Sequence, residues 1–464
     1  MPSAARVAVI GAGPAGFYAS DFLLQAGFEV DVFDTLPTPF GLVRAGVAPD
    51  HPKIKRVTRA YERTARHPAF RFFGGVQLGV DVQREQLLER YHALVYAYGT
   101  ATDNRLGIPG EDLPGSHAAT EFVAWYNGHP GHADRDFDLS ATRAVVIGNG
   151  NVAIDVARML VLDPDEIAPT DTANHAIEAL ARAQVQEVVV LGRRGPAQAA
   201  FTNPELLELG ELKRADVVVD RDEVELDEHS AAWLASDAAD QTHRRNVEIL
   251  WEYAGRPLAG KSHRVVLRFL RSPLAILGSS DEAVTGLRVG VNALEPDGRG
   301  GLRAVATGVE EQIDCGLVLR SIGYRGVEVP GVPFDARRGL IRNDGGRVIG
   351  DDGERATGEY AVGWIKRGPS GVIGTNKKDA HETVDLIVAD RDAGRLGRPE
   401  PEVSDAAAVA QWLRERVPHL VSWDGWRTID AHEQALGEPH SRPRVKLVRV
   451  PEMLDVAHGG VLPR

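Results

Sequence analysis

One local pattern occurs twice in this chain: an apolar strand, a glycine turn, a helix and a second apolar strand. The first copy runs RVAVI (6–10), GAGPAG (11–16), FYASDFLLQAG (17–27) and EVDVF (29–33). The second runs RAVVI (143–147), GNGNVA (148–153), IDVARMLVL (154–162) and EVVVL (187–191), with the stretch DPDEIAPTDTANHAIEALARA (163–183) inserted before its last strand. Short apolar runs ending in glycine read as buried strands, and the periodic run stopped by Gly27 reads as a helix with a glycine cap. A strand–helix–strand unit returns its second strand parallel to the first, so the pattern commits the chain to open parallel sheets covered by helices. At 464 residues the chain exceeds one ordinary core, and two such units account for the surplus.

The glycines carry specific duties. Gly11 permits the tight turn, Gly13 clears a side chain from the path of a pyrophosphate, and Gly16 lets helix and strand close on each other. The helix that opens at Pro14 and Ala15 offers N–H donors and a partial positive charge to phosphate. Asp34 follows the second strand, where an acid accepts hydrogen bonds from ribose hydroxyls; a bare carboxylate there would repel a 2′-phosphate, which favours FAD or NAD over NADP. In the second copy Gly148 and Gly150 match, and Ala153 stands for the third glycine. Asn149 and Asn151 could add side-chain donors. The closing strand ends not in an acid but in Gly192, Arg193 and Arg194. Paired guanidinium groups at that strand end suit the 2′-phosphate of NADP. The expected fold is therefore α/β, with two Rossmann-like dinucleotide-binding domains of opposite preference.

Composition narrows the function. The net charge of −13 argues against bulk nucleic-acid binding. The only cysteine, Cys315, cannot supply a disulfide, a dithiol redox pair or an iron–sulfur site. No metal-ligand pattern is present. The longest uncharged run, Val7 to Ser20, is too short to cross a membrane, and no secretory signal precedes the first glycine turn, so a soluble, cytoplasmic protein is expected. The stretch LPTPFGLVRAGVAPDHPKIK (36–55), with its four prolines, reads as a structured loop. ALVYAYGT (93–100) reads as another strand, and GLVLRSIGY (316–324) as the closing strand of the second domain. EYAVGWIKRGPSGVIGTNKKDAHETVDLIVAD (359–390) reads as strand, glycine turn and helix; the tail beyond 395 carries no motif. A permanently held flavin and a visiting NADPH make an electron relay, and without a cysteine pair the electrons must leave to an external acceptor.

The stretches PTPFGLVRAGVAPDHPKIK, GNGNVAIDVAR, LGRRGPAQAAFTNPEL and GWIKRGPSGVIGTN together resemble the adrenodoxin-reductase-type ferredoxin–NADP⁺ reductases, FAD enzymes of glutathione-reductase-like architecture. The resemblance runs from about residue 5 to at least 390. It implies an FAD domain of residues 1–105 and 335–464 enclosing an NADP domain of 106–334. It carries FAD contacts onto Gly11, Gly13, Pro14, Ala15, Gly16, Asp34, Leu42, Val82, Trp364, Gly371, Val372 and Ile373. It carries NADP contacts onto Asn149, Gly150, Asn151, Val152, Arg193, Arg194, Glu205 and Gly371. His51 and Asp155 match a pair placed near the flavin–nicotinamide site; by residue type alone, His51 is equally a hydrogen-bonded loop group and Asp155 a helix-dipole partner. Trp364 precedes a glycine-rich helix start, which favours a ring beside the flavin over plain core.

Two departures are visible: Asp34 where a Glu is common, and Asn149 where a Gln is frequent. No transit peptide and no fused ferredoxin domain is expected. The implied activity is NADPH:ferredoxin oxidoreduction, with hydride passing to FAD N5 and single electrons to an iron–sulfur partner. The alternatives are a related flavoprotein feeding a glutamate-synthase-like partner or a quinone, and a non-catalytic NADPH sensor. An acidic ferredoxin would need a basic patch; Lys213, Arg214, Arg244 and Arg245, with Lys261 and Arg264, are the candidates.

Overall fold

The computed structural model describes residues 5–279, 283–371 and 373–460. The chain divides into two compact units, Met1–Thr102 with Gly323–Arg464, and Asp103–Ile322. The crossings fall at 102/103 and 322/323 rather than at 105/106 and 334/335. The second shift has a local cause. The chain beyond Gly323 already bonds forward within its own unit: the Gly326 N–H donates to the Gly339 carbonyl at 3.1 Å, and Phe334–Asp335 pairs with Leu340–Ile341.

The first unit holds a seven-stranded sheet. From one edge its strands are Asn343–Asp344, Arg347–Ile349, Arg355–Ala361, Ala93–Tyr96, Arg6–Ile10, Glu29–Asp34 and Phe70–Gly74. The last five are parallel, and the first two add an antiparallel edge. Val9 lies opposite Val32 on one side and Val95 on the other, all three fully buried. Burial on both faces explains why these strands read as continuous apolar runs rather than alternating ones. The chain leaves Arg6–Ile10 toward Glu29–Asp34 and Phe70–Gly74, then returns to Ala93–Tyr96 on the opposite side. That reversal opens a crevice at the carboxyl end of the first strand.

The helix Pro14–Gln25 has proline in its first turn, where no N–H is needed, and packs against the long helix Ile373–Asp392. Phe17 anchors it: its ring stacks on Tyr61 at 4.9 Å and meets Phe40 at 5.5 Å and Trp423 at 6.3 Å. The tail beyond 395 therefore has a packing role that its sequence did not disclose. The helix Trp423–Gly437 supplies Trp423 and Trp426 to the aromatic cluster and presents Glu433 to the proline-rich segment. The fully buried Glu433 carboxylate receives Arg44 through two hydrogen bonds of 2.8 and 2.5 Å and the Leu447 N–H at 2.9 Å.

The second unit holds a six-stranded, all-parallel sheet ordered Ser116–Ala118, Leu317–Arg320, Arg143–Ile147, Glu187–Leu191, His263–Arg268 and Ala215–Val219. The strand expected to close the domain thus lies inside the sheet, beside Arg143–Ile147. A second sheet, which sequence periodicity did not suggest, pairs Arg271–Leu277, Gly286–Pro296 and Leu302–Asp314 antiparallel. The 163–183 insertion forms two short helices, Pro164–Ile167 and Asn174–Ala181, that bury Ile167, Ala176 and Leu180. Among the described residues no helix is long and apolar enough to cross a membrane, and no group of three or more residues could hold a metal ion.

Glu433→Ala would strand the Arg44 guanidinium in the interior, and breaking a buried pair this way costs about 3–5 kcal/mol. Chemical denaturation should show that loss. Burial alone would raise the Glu433 carboxyl, but the Arg44 charge and hydrogen bonds hold it below the ordinary carboxylate range. Its contribution is therefore full at neutral pH and is lost only as the pH falls through that lowered range.

Candidate dinucleotide sites

At the first turn, Gly11 adopts φ +111° and its N–H donates to the Phe33 carbonyl at 2.7 Å. A Cβ there would lie 2.6 Å from the Ala97 carbonyl oxygen, and one on Gly16 would lie 2.0 Å from the Gly11 carbonyl oxygen. Backbone is packed on backbone, so neither position admits a side chain. Gly13 differs: nothing lies within 4 Å of a Cβ built on it. Its open side faces away from the packed turn, and no side chain caps the helix that starts at Pro14. The free N–H groups of that first turn are the donors a pyrophosphate needs.

Asp34 ends the second strand. One carboxylate oxygen accepts the Ala12 N–H at 2.8 Å and the other the Leu36 N–H at 2.9 Å. Burial pushes this carboxyl up to about 6, against the pull of the Leu36 and Ala12 hydrogen bonds. A carboxylate has about four lone-pair sites, so acceptor capacity remains for two hydroxyls.

Other segments converge on the same turn. The Phe40 N–H donates to the Ala12 carbonyl at 2.8 Å, which folds the proline-rich segment back so that a Cβ on Gly41 would stand 3.0 Å from the Gly13 Cα. This places Leu42 beside the glycine turn. A Cβ on Gly363 would meet the Ala15 Cβ at 2.5 Å, which brings Trp364 to the same helix start. The Gly363 N–H is held by Asp379 at 2.5 Å. The Trp364 ring tilts against Tyr324 at 5.3 Å, and its buried indole N–H has no partner among the described residues. Gly371 precedes the helix that begins at Ile373, while Val372 lies outside the described residues. Val82 is buried in the loop after Phe70–Gly74, its carbonyl accepting the Gly79 N–H at 2.7 Å. His51 is buried at the start of the short helix Pro52–Lys55, with its Nε2 4.0 Å from Asp50.

The second unit repeats the turn almost atom for atom. Gly148 adopts φ +124°, its N–H donates to the Leu191 carbonyl at 2.9 Å, and a Cβ would lie 2.0 Å from the Ser321 carbonyl oxygen. Gly150 is open on its Cβ side, and the helix Asn151–Val161 that carries Val152 in its first turn has no side-chain cap. Asn151 has a structural duty: its side-chain oxygen accepts the Thr202 N–H at 2.8 Å and ties the arginine segment to the helix start. The Asn149 amide lies over Gly192, where a Cβ would be 2.5 Å from its nitrogen.

Arg193 is exposed and Arg194 half-buried, and neither joins an ion pair among the described residues. Burial, then the neighbouring Arg193 charge, lowers Arg194 from its usual range. Their backbone is held rigidly: the Arg193 carbonyl accepts the Asn292 side-chain amide at 2.9 Å, and the Arg194 carbonyl accepts the Leu270 N–H at 3.1 Å. Leu270 itself sits at φ +56°, a conformation non-glycine residues rarely adopt. Asn292 lies in the second sheet and Leu270 immediately before its first strand, so neither carried a signal that sequence reading could use. Glu205, in the first turn of the helix Asn203–Leu209, accepts the Thr202 hydroxyl. Asp155 lies one turn into its helix, 3.3 Å from Arg158, rather than at the dipole-stabilising end. Gln198 is buried and its amide has no partner among the described residues.

Three of the six basic candidates have acidic partners and the other three donate to neutral acceptors. Lys213 pairs with Glu166 at 3.1 Å, Arg245 with Glu248 and Glu252, and Arg264 with Glu187. Arg244 and Lys261 donate to backbone carbonyls, and Arg214 to His263.

Residues 5–195 match the family described as "Pyridine nucleotide-disulphide oxidoreductase". The chain is 48% identical over 463 residues to the NADPH-ferredoxin reductase FprA of Mycobacterium leprae (strain TN), covering 98% of each. It is 41% identical to the mitochondrial NADPH:adrenodoxin oxidoreductase of Salvelinus fontinalis, covering 98% of this chain and 91% of that one. The solved structure titled "Mycobacterium tuberculosis FprA in complex with NADPH" superposes with a TM-score of 0.92 at 48% identity, covering 98% of this chain and 100% of that one.

The chain belongs to the adrenodoxin-reductase-type ferredoxin–NADP⁺ reductases. With Cys315 as its one cysteine, this chain cannot form within itself the disulfide in the matched family's description. Cys315 is buried and its thiol is pushed up to about 12, first by burial, so it is an inert core group.

Gly148→Ala combines an unfavourable φ with backbone overlap, each a source of about 1–3 kcal/mol of strain. A loss of at least about 2 kcal/mol in thermal or chemical unfolding is expected, whereas Gly150→Ala should unfold like the parent because its Cβ meets open space.

Proposed function

We propose that this protein is an NADPH:ferredoxin oxidoreductase that holds FAD in its first unit and receives NADPH in its second. The observation that carries this reading is the contrast between the two crossover strands. One ends in Asp34, the other in Arg193 and Arg194, two guanidinium groups without acidic partners among the described residues, in a protein of net charge −13. The relatives named as NADPH-ferredoxin and NADPH:adrenodoxin reductases support the same activity.

The residues present fit both groups. Gly13 and Gly150 leave open faces at uncapped helix starts, the cradle a pyrophosphate requires. Asp34 retains acceptor sites for ribose. The orphaned Trp364 indole N–H and Gln198 amide are buried polar groups whose cost falls when a ligand or water satisfies them. When bound, FAD supplies the chemistry that joins two-electron hydride donors to one-electron iron–sulfur acceptors. The protein supplies position and field. Gly11 to Gly16 and the turn before Ile373 place donors; Leu42, Val82 and Trp364 wall the site. Asn149 to Val152 and Glu205 lie around the second turn, where Arg193 and Arg194 would hold the 2′-phosphate of NADP through their charged N–H donors. His51, buried beside Asp50, is suited to holding or moving a proton at its Nε2, and Asp155 is the acid carried by the helix Asn151–Val161.

Two outcomes test this. Charged hydrogen bonds are each worth about 1.5–3 kcal/mol, so Arg193→Ala combined with Arg194→Ala should weaken NADPH about a hundredfold or more. NADH kinetics should change little; equal losses for both nucleotides would make the arginines structural. For Asp34, ribose hydroxyls donate to the ionised form, so FAD binding is coupled to deprotonation of a carboxyl that begins at about 6. Apoprotein titrated with FAD should bind most tightly above that value and progressively less as the pH falls through it. Asp34→Asn should bind FAD more weakly and lose the pH dependence.

A further inference from the structure

We propose that the exposed basic face of the helical segment 52–66 is where an acidic iron–sulfur protein docks; this rests on the ferredoxin-reductase reading above. Pro52–Lys55 and Thr58–Ala65 are helical, and the intervening Arg56 and Val57 keep helical backbone angles. Lys53, Arg56, Arg59, Arg63 and Arg66 recur at three- and four-residue spacings, which at 3.6 residues per turn aligns them along one face. All five are exposed, and none forms an ion pair or side-chain hydrogen bond among the described residues.

The other face is fixed in place. Tyr61, Thr64 and Ala65 are buried; Tyr61 stacks on Phe17 at 4.9 Å and meets Tyr18 edge-on at 5.5 Å. The stripe is thus mounted on the helix that begins at the first glycine turn. The nearby acids do not neutralise it. Asp21, on that helix, accepts the Thr64 hydroxyl at 3.1 Å and the Gln25 amide at 2.8 Å, and Glu62 is half-buried on the stripe's own helix.

Five such cations along one helical face set it apart from the basic candidates of the second unit. Lys213, Arg245 and Arg264 carry acidic partners, and Arg244 and Lys261 are spent on backbone carbonyls. A run of five uncompensated cations in a protein of net charge −13 reverses the local field and would steer an acidic partner toward it. Ile54, 39% exposed between Lys53 and Lys55, adds the small apolar centre that protein interfaces carry inside a polar rim. The stripe begins two residues after His51, so a partner seated on it would lie against the segment that folds over the first turn.

The test uses the holoenzyme, a purified acidic [2Fe–2S] ferredoxin and NADPH, with dichlorophenolindophenol as a small acceptor that needs no docking. In Arg59→Glu combined with Arg63→Glu, kcat/KM for ferredoxin should fall about tenfold or more at low ionic strength, and its salt dependence should flatten. Dye reduction should stay at the parent rate, and Arg244→Glu with Arg245→Glu should have the smaller effect. A double variant that keeps the parent ferredoxin KM and salt slope overturns this surface while leaving the oxidoreductase reading intact. A parent enzyme that reduces the dye but not ferredoxin overturns both. A loss equally large at high salt overturns the electrostatic docking.

Discussion

Everything in the two sites depends on one backbone contact made twice. The N–H of a glycine with positive φ donates to the last carbonyl of the crossover strand, Gly11 to Phe33 and Gly148 to Leu191. The contact can form only without a Cβ, because each glycine is pressed against a third backbone segment, at Ala97 in one unit and Ser321 in the other. It fixes where the crossover strand ends relative to the helix start. Whatever follows that strand therefore stands beside the glycine turn: Asp34 in the first unit, Gly192 and two arginines in the second. One scaffold thus presents a carboxylate acceptor in one place and guanidinium donors in the other.

The same contact explains why so much was legible in the sequence. Its requirements are local: a glycine at a set distance from a strand, a helix start and a second strand. The charge after each crossover strand is equally local. What could not be read came from far along the chain. The backbone of Arg193 and Arg194 is held by Asn292, from an antiparallel sheet of mixed burial with no helix or crossover signature, and by Leu270, just before that sheet's first strand. The partner of Arg44 is Glu433, almost four hundred residues away, in a tail whose helices are too weakly patterned to announce what they cover.

Charge composition says less about a surface than its folded neighbours do. Lys213, Arg214, Arg244 and Arg245 cluster in sequence, and clustering alone suggests a basic patch. Folding brings Glu166, His263, Glu248 and Glu252 to three of them and backbone carbonyls to Arg244. Arg193 and Arg194 at one site, and Lys53, Arg56, Arg59, Arg63 and Arg66 along one helical face, are cations that form no ion pair among the described residues. A cation's availability is set by its neighbours in space, which sequence spacing reveals only within a single helix.

The account's central claim is that the second turn selects NADP over NAD while the first holds a flavin. The most direct measurement is anaerobic stopped-flow reduction of the purified yellow holoprotein by NADPH and by NADH. The account predicts a flavin spectrum that bleaches with each nucleotide, with NADPH favoured about a hundredfold or more, the value of at least one strong charge-assisted contact to the 2′-phosphate. A protein that binds no flavin, or one whose flavin is reduced equally well by both nucleotides, would contradict it.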